Sequence, residues 1–154
     1  MSNNPEYTPD LTSRQPGLTR HSLDGDQLLR DQLFGQIDFE SRYFQSAPER
    51  FFAAWKRAVA LAGVTYFGAG TKTALERATK KWDLTPNLEH ISDAFGVLSS
   101  GERVFLAALV SFYNSEDGGR LLKRVGVEGL ADLGGLDLQR RTLIAALILN
   151  YSGW

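Results

Sequence analysis

Two segments of this chain repeat the same helical pattern 38 positions apart, at residues 98–113 and 136–151. Both are apolar around most of their circumference, which is typical of helices that are buried on several sides. The sequence therefore predicts two buried central helices, packed against each other. The aligned segments are identical at six positions, namely Leu98/Leu136, Arg103/Arg141, Ala107/Ala145, Ala108/Ala146, Leu109/Leu147 and Tyr113/Tyr151.

The repeating unit is larger than one helix in our interpretation. A short element that ends in glycine and leucine precedes each copy, which suggests two helical hairpins at about 84–113 and 127–151 with approximate twofold symmetry. The alternative is that two helices rich in leucine and alanine align by composition alone. Arg103 and Arg141 lie near the helix starts, where the helix dipole disfavours positive charge, so we expect each to have a carboxylate or carbonyl partner.

The periodicity of apolar residues predicts seven or eight helices and no strand. We therefore expect an all-α fold, a single-domain orthogonal helical bundle over residues 23–154. Residues 1–22 are polar and hold three of the five prolines, which predicts a disordered N-terminal tail. Helix starts are predicted at residues that can cap free amides, namely Asp24 or Asp26, Ser46 with Glu49, Thr71, Thr85, Ser99 with Glu102, Ser115 and Asp137.

Composition excludes several classes of protein. The chain contains no cysteine, so disulfides, thiolate nucleophiles and sulfur-ligated zinc are excluded. The longest apolar runs, 104–110 and 143–149, are far shorter than the ~20 residues that a membrane-spanning helix needs. We expect a soluble cytoplasmic protein with no membrane association.

The formal net charge of −1 hides a block pattern. Residues 50–82 carry seven basic side chains and one acidic side chain, and residues 83–119 carry six acidic and one basic. Attraction between neighbouring helices is the simplest explanation, and a basic face for an acidic partner is the alternative. The candidate partner-binding residues are Lys56, Arg57, Lys72, Arg77, Lys80, Lys81, Tyr151 and Trp154.

Aromatic residues interleave with the basic side chains of this segment, at Phe51, Phe52 and Trp55 and again at Trp82. Such interleaving is typical of proteins that bind single-stranded nucleic acid, because rings stack on bases while cations pair with phosphates. Helical spacing weakens that interpretation, since it places the first three rings on the inward stripe of a helix that we predict to start at Ser46 and to end at Gly63. A predicted helix over 71–82 would bury Trp82 in the same way, leaving only the charges available.

Three motifs are similar to known chemical sites, but each departs from the pattern that its chemistry requires. The stretch 68–73 is similar to a phosphate-binding loop, but Thr71 separates the last glycine from the lysine. The stretch 114–125 has a glycine where a calcium loop needs one, yet it closes with Val125 rather than an acid. His90 has carboxylates nearby but no matching nucleophile, so we expect it to face solvent. No cofactor and no metal are expected.

These observations favour a non-enzymatic helical protein-interaction module that presents a charged or aromatic helical surface, as bacterial adaptors, inhibitors and toxin-neutralising proteins do. A protein partner is therefore expected, and the chain itself would be a monomer or homodimer. The alternative is a DNA- or RNA-binding regulator that uses segment 50–82. An acid–base enzyme built around His90 is a third possibility.

Overall fold

The structure, a computed structural model, describes the backbone of residues 20–153 and the side chains of residues 25–153. The predicted all-α fold is confirmed, because this part of the chain contains no strand and only one isolated bridge, between Phe67 and Pro86. Three 3₁₀ turns, Val64–Tyr66, Lys81–Leu84 and Leu130–Gly135, connect the helices. The α-helices are α1 (Arg20–Gln45), α2 (Ala47–Ala62), α3 (Lys72–Arg77), α4 (Leu88–Ala94), α5 (Ser100–Tyr113), α6 (Ser115–Arg124) and α7 (Leu138–Asn150).

Helix α1 is longer than the sequence predicts. We expected this helix to start at Asp24 or Asp26, whereas α1 runs unbroken from Arg20 to Gln45. No proline interrupts these residues, so nothing in the backbone stops the helix. The chain divides into two compact units after Phe39, within this helix. Of the predicted tail at 1–22, residues 1–19 lie outside those described.

The second unit is built around the buried face of α2. That face carries Phe51, Trp55 and Val59 at helical spacing, and it packs against α7. The helix ends at Gly63 as predicted, with φ of +114°. The predicted capping role of Ser46 is wrong, because its hydroxyl lies 3.3 Å from carbonyl oxygens at the end of α1 and makes no cap hydrogen bond to α2.

Arg50 joins three elements of this unit. Its guanidinium donates to Asn150 Oδ1 at 2.7 Å, to Ser46 Oγ at 2.5 Å and to the carbonyl of Tyr43. Asn150 is buried, and its amide nitrogen donates to the Ala146 carbonyl at 2.7 Å. The last turn of α7 is therefore tied to the start of α2 by a satisfied polar network, which a buried amide requires.

Helix α5 is the most buried helix of the second unit. Every residue from Phe105 to Val110 is buried, and α5 packs closely against α6. Its predicted capping box is confirmed: Ser99 Oγ accepts from the Glu102 amide at 3.4 Å, and Glu102 Oε2 accepts from the Ser99 amide at 2.9 Å. The close approach of α6 depends on Gly118, because a Cβ at that position would lie 2.1 Å from Ser111 Cα.

Helix α7 is less buried than its aligned copy, which corrects our expectation that both helices are buried on several sides. Leu143, Ile144 and Leu147 are buried, but Ile148 and Leu149 are more than half exposed. The reason is packing: α7 lies mainly against α2, whereas α5 lies mainly against α6. The two-hairpin repeat itself stays a prediction.

The expected partners of the aligned arginines are found for one copy. Arg141 Nε donates to the Leu136 carbonyl at 2.6 Å, and its Nη2 donates to the Gly134 carbonyl. Arg103 Nε, by contrast, is buried without a hydrogen-bond partner among the described residues. Only Arg141 therefore follows the prediction in full.

Several predicted helix boundaries differ from the structure. Thr71 and Asp137 cap their helices as expected. Asn87 rather than Thr85 caps α4, accepting from the His90 amide at 3.1 Å. Asn114 rather than Ser115 caps α6, accepting from the amides of Glu116 and Asp117 at 3.0 and 3.1 Å. An asparagine oxygen reaches these amides well, which is why it is among the preferred caps.

Candidate functional site

The helix predicted over residues 71–82 begins as expected but is shorter than predicted. Its early end changes which side chains of this segment are exposed. Helix α3 ends at Arg77, and the chain then turns because the Asp83 carboxylate accepts from the Thr79 amide at 2.9 Å and the Lys80 amide at 3.2 Å. The Thr79 bond is the main reason that the pKa of Asp83 lies below its ordinary value. This turn brings Trp82 to the surface, where it is 49% exposed.

The exposed Trp82 ring forms one side of a shallow cleft between α2 and the Lys81–Leu84 turn, which we call the basic aromatic cleft. The cleft has a volume of about 300 Å³. Phe52 lies in it half-buried, at the edge of the inward stripe rather than within it. The lining residues are Pro48, Glu49, Phe52, Thr79, Lys80, Lys81 and Trp82.

Two of the predicted partner-binding lysines have structural roles at this cleft. Lys56 Nζ donates to the carbonyls of Glu76 and Ala78 at 3.1 and 3.2 Å, and it lies 5.7 Å from the Phe52 ring centroid. Lys81 Nζ donates to the Gly153 carbonyl at 2.7 Å. Partial burial lowers the pKa of Lys81 by desolvation.

The other predicted site residues are spread over the second unit. The side chains of Arg57, Lys72, Arg77 and Lys80 are exposed, and only Lys80 of these four lines the cleft. Tyr151 packs its ring against Phe51 and Phe112, with centroids 5.7 and 6.0 Å apart. Trp154 lies outside the described residues.

A second feature, which our sequence reasoning did not select as a site, is the apolar surface of α1. Five large apolar side chains between positions 28 and 37 are 51–67% exposed. They are Leu28, Leu29, Leu33, Phe34 and Ile37. The sequence signal was present in the helical spacing of the leucines, but spacing alone does not distinguish an exposed stripe from a buried one.

An apolar groove of about 440 Å³ lies between α5, α6, α7 and the Leu130–Gly135 turn. Leu133, Ile144 and Ile148 belong to its wall, and Glu128 is the only ionisable residue that lines it. The Ser111 hydroxyl at its edge donates to the Ala108 carbonyl at 2.6 Å. The groove thus offers apolar contact area and no paired acid and base.

The glycine-rich stretch 68–73 uses its amides within the fold. Gly68 donates its amide to the Thr85 carbonyl at 2.8 Å, and Gly70 donates to the Phe67 carbonyl at 2.9 Å. Gly68 has φ of +53°, and a Cβ there would lie 2.3 Å from the Asp83 carbonyl oxygen. The glycine is therefore explained by close backbone packing.

His90 lies on the exposed side of α4, as expected. Its ring packs edge-on against Tyr66 with centroids 5.3 Å apart, and Glu89 and Asp93 line a shallow depression beside it. Within residues 25–153, no three histidine or carboxylate side chains lie close enough to hold a metal ion. The stretch considered as a calcium loop is mostly helical, forming α6.

None of the described helices combines the length and hydropathy needed to cross a lipid bilayer. Comparison with known protein families, curated proteins and solved structures finds no match to this chain.

Proposed function

We propose that the protein is a non-enzymatic helical interaction module that docks the apolar face of α1 into a groove on a protein partner. The observation that carries the proposal is the exposure of the five apolar side chains between Leu28 and Ile37. Soluble proteins expose large contiguous apolar surfaces mainly where a partner covers them. An amphipathic helix bound in an apolar groove is a common way to cover such a surface.

The spacing of these side chains identifies the contacting stripe. Leu29, Leu33 and Ile37 follow one another at intervals of four residues, so they lie along one side of the helix. Burying each of these side chains would stabilise a complex by about 1.5–3 kcal/mol before entropic costs. We call these three residues the α1 stripe.

The charges on α1 indicate the chemistry of the partner. Among residues 25–45 the acidic side chains outnumber the basic ones by four to two. Complementary charge favours a groove with a basic rim, because like charges across an interface are costly. The acidic residues are Asp26, Asp31, Asp38 and Glu40, and the basic residues are Arg30 and Arg42.

The test replaces the α1 stripe with glutamine, as a Leu29→Gln/Leu33→Gln/Ile37→Gln variant. A partner captured from nuclease-treated native lysate, identified and purified, should bind this variant at least tenfold more weakly than the wild type. The loss of three buried apolar side chains is expected to exceed that factor. Isothermal titration calorimetry measures the affinity, and circular dichroism checks that the helix content is kept.

A matched control lies on the opposite side of α1. Gln27 Nε2 donates to Asp31 Oδ1 at 3.1 Å, so a Gln27→Ala variant removes a local pair but keeps the stripe and every charge of α1. This variant should bind the partner within a few fold of the wild type. Equal capture by wild type and stripe variant, or capture that nuclease abolishes, would refute the proposal.

A further inference from the structure

We propose that the basic aromatic cleft binds single-stranded nucleic acid, with Trp82 stacking on a base and the neighbouring lysines pairing with phosphates. This site is separate from the α1 stripe and does not depend on it. The cleft volume of about 300 Å³ lies at the lower end of the range for small-molecule sites.

The aromatic surface is the first observation. Trp82 packs its edge against Tyr113, with ring centroids 5.7 Å apart and planes inclined at 79°, and this contact orients the indole. About half of the Trp82 surface remains accessible. An oriented, exposed indole is a suitable stacking platform because every nucleobase has a flat π face.

The concentration of positive charge is the second observation. Lys80 and Lys81 line the cleft and Glu49 is the only acid among the lining residues. Lys56 Nζ lies 5.7 Å from the ring centroid of Phe52, one of the lining residues, and donates to the Ala78 carbonyl. Segment 50–82 as a whole carries seven basic side chains and one acidic side chain.

These two observations favour a single strand over the other acidic partners. In a duplex the bases are stacked on one another, so an indole on a protein surface cannot reach their faces. An acidic peptide satisfies the lysines but makes no special use of the ring. The pI of about 6.1 predicts modest affinity for nucleic acid, because the chain as a whole is slightly acidic. Pairing of lysines with phosphates predicts that this affinity falls strongly as the salt concentration rises.

The experiment measures fluorescence anisotropy with a labelled oligothymidylate of roughly 12 nucleotides, a length within the usual site size for one small domain. The plot of log affinity against log salt concentration should fall with a slope of about −0.7 per phosphate contacted. Trp82→Ala should weaken binding at least about fivefold, and Trp82→Phe should restore most of that loss. Circular dichroism establishes that both variants fold.

A charge-reversal pair provides the matched control. Lys80→Glu should weaken binding and make the salt slope shallower, because it removes a phosphate contact. Lys123→Glu makes the same change in net charge on the exposed side of α6 and lines no part of the cleft, so it should have little effect. The Leu29→Gln/Leu33→Gln/Ile37→Gln variant should bind the oligonucleotide like the wild type.

Four results would overturn this proposal. They are no binding at low salt, equal weakening by Lys80→Glu and Lys123→Glu, unchanged affinity of Trp82→Ala, and equally tight binding of duplex DNA or of an acidic peptide. The last result would assign the cleft to another class of acidic partner.

Discussion

Replacing Gly118 with alanine should destabilise the protein far more than a single methyl group suggests. Gly118 is buried in α6 where that helix crosses α5. The added Cβ would lie 2.1 Å from Ser111 Cα and 2.3 Å from Ser111 N. Both atoms belong to the backbone of α5, so no side-chain rotation can relieve the overlap.

The expected magnitude follows from two opposing effects. Overpacking of a well-packed interface costs about 1–3 kcal/mol, and a backbone clash belongs at the upper end of that range. Alanine regains up to about 1 kcal/mol because it favours the helix more than glycine does. The net loss in free energy of unfolding is therefore about 2 kcal/mol, which lowers the Tm of a chain of this size by roughly 4–8 °C.

The neighbouring glycine is the control for this experiment. A Cβ at Gly119 would meet no atom within 4 Å, so Gly119→Ala should raise stability by up to about 1 kcal/mol. Urea denaturation followed by circular dichroism gives the free energy of unfolding for each variant. Equal stability of Gly118→Ala and Gly119→Ala would refute the close contact between α5 and α6.

Two further predictions concern helix caps. The pKa of Glu102 lies below its ordinary value of 4.5, chiefly because the Ser99 hydroxyl donates to the carboxylate. The stabilisation by the Glu102 carboxylate is therefore complete above pH 4.5 and is lost as pH falls through the lowered pKa of the folded state. The Tm values of wild type and Glu102→Gln should accordingly differ at pH 7 and converge in acid. Asn114→Ala should cost about 1 kcal/mol in urea denaturation. Ser115→Ala should change stability by only a few tenths of that, and the reverse order would contradict the assignment of Asn114 as the cap.

The sequence predicted the helical class and most of the buried face of α2. Phe51, Trp55 and Val59 are large apolar residues at helical spacing, and this pattern has few structural alternatives. Gly63 also ends α2 as predicted, since a left-handed φ is easy for glycine. Helical spacing and a terminating glycine can be predicted from the sequence because each depends only on residues that are close together in the chain.

The structure differs from the prediction where tertiary contacts decide. The end of α3 depends on the Asp83 carboxylate, which accepts hydrogen bonds from two backbone amides. Asp83 lies six residues after Arg77, and nothing in the sequence around it identifies that role. Trp82 was therefore assigned to a buried helix face, although it lies at the surface. The role of Gly118 depends in the same way on how closely another helix approaches.

Of the proposed contact surfaces, the sequence identified the basic residues but not their arrangement. Lys80 and Lys81 were selected from charge alone, and the structure places both at the basic aromatic cleft. The spacing of Leu29, Leu33 and Ile37 predicted a helix without indicating that this stripe is exposed. Exposure depends on what the rest of the chain covers, which no local pattern records.

The packing of α2 against α7 has a consequence for biosynthesis. Some 75 residues separate the end of α2 from the start of α7 in the chain, so a ribosome needs about 4–15 s to make them. During that interval the nascent α2 has no α7 to cover Phe51 and Trp55, and Arg50 lacks its Asn150 acceptor. Native closure of the bundle therefore waits until α7 has been made, and a chain that terminates before α7 would expose an apolar, aggregation-prone surface on α2.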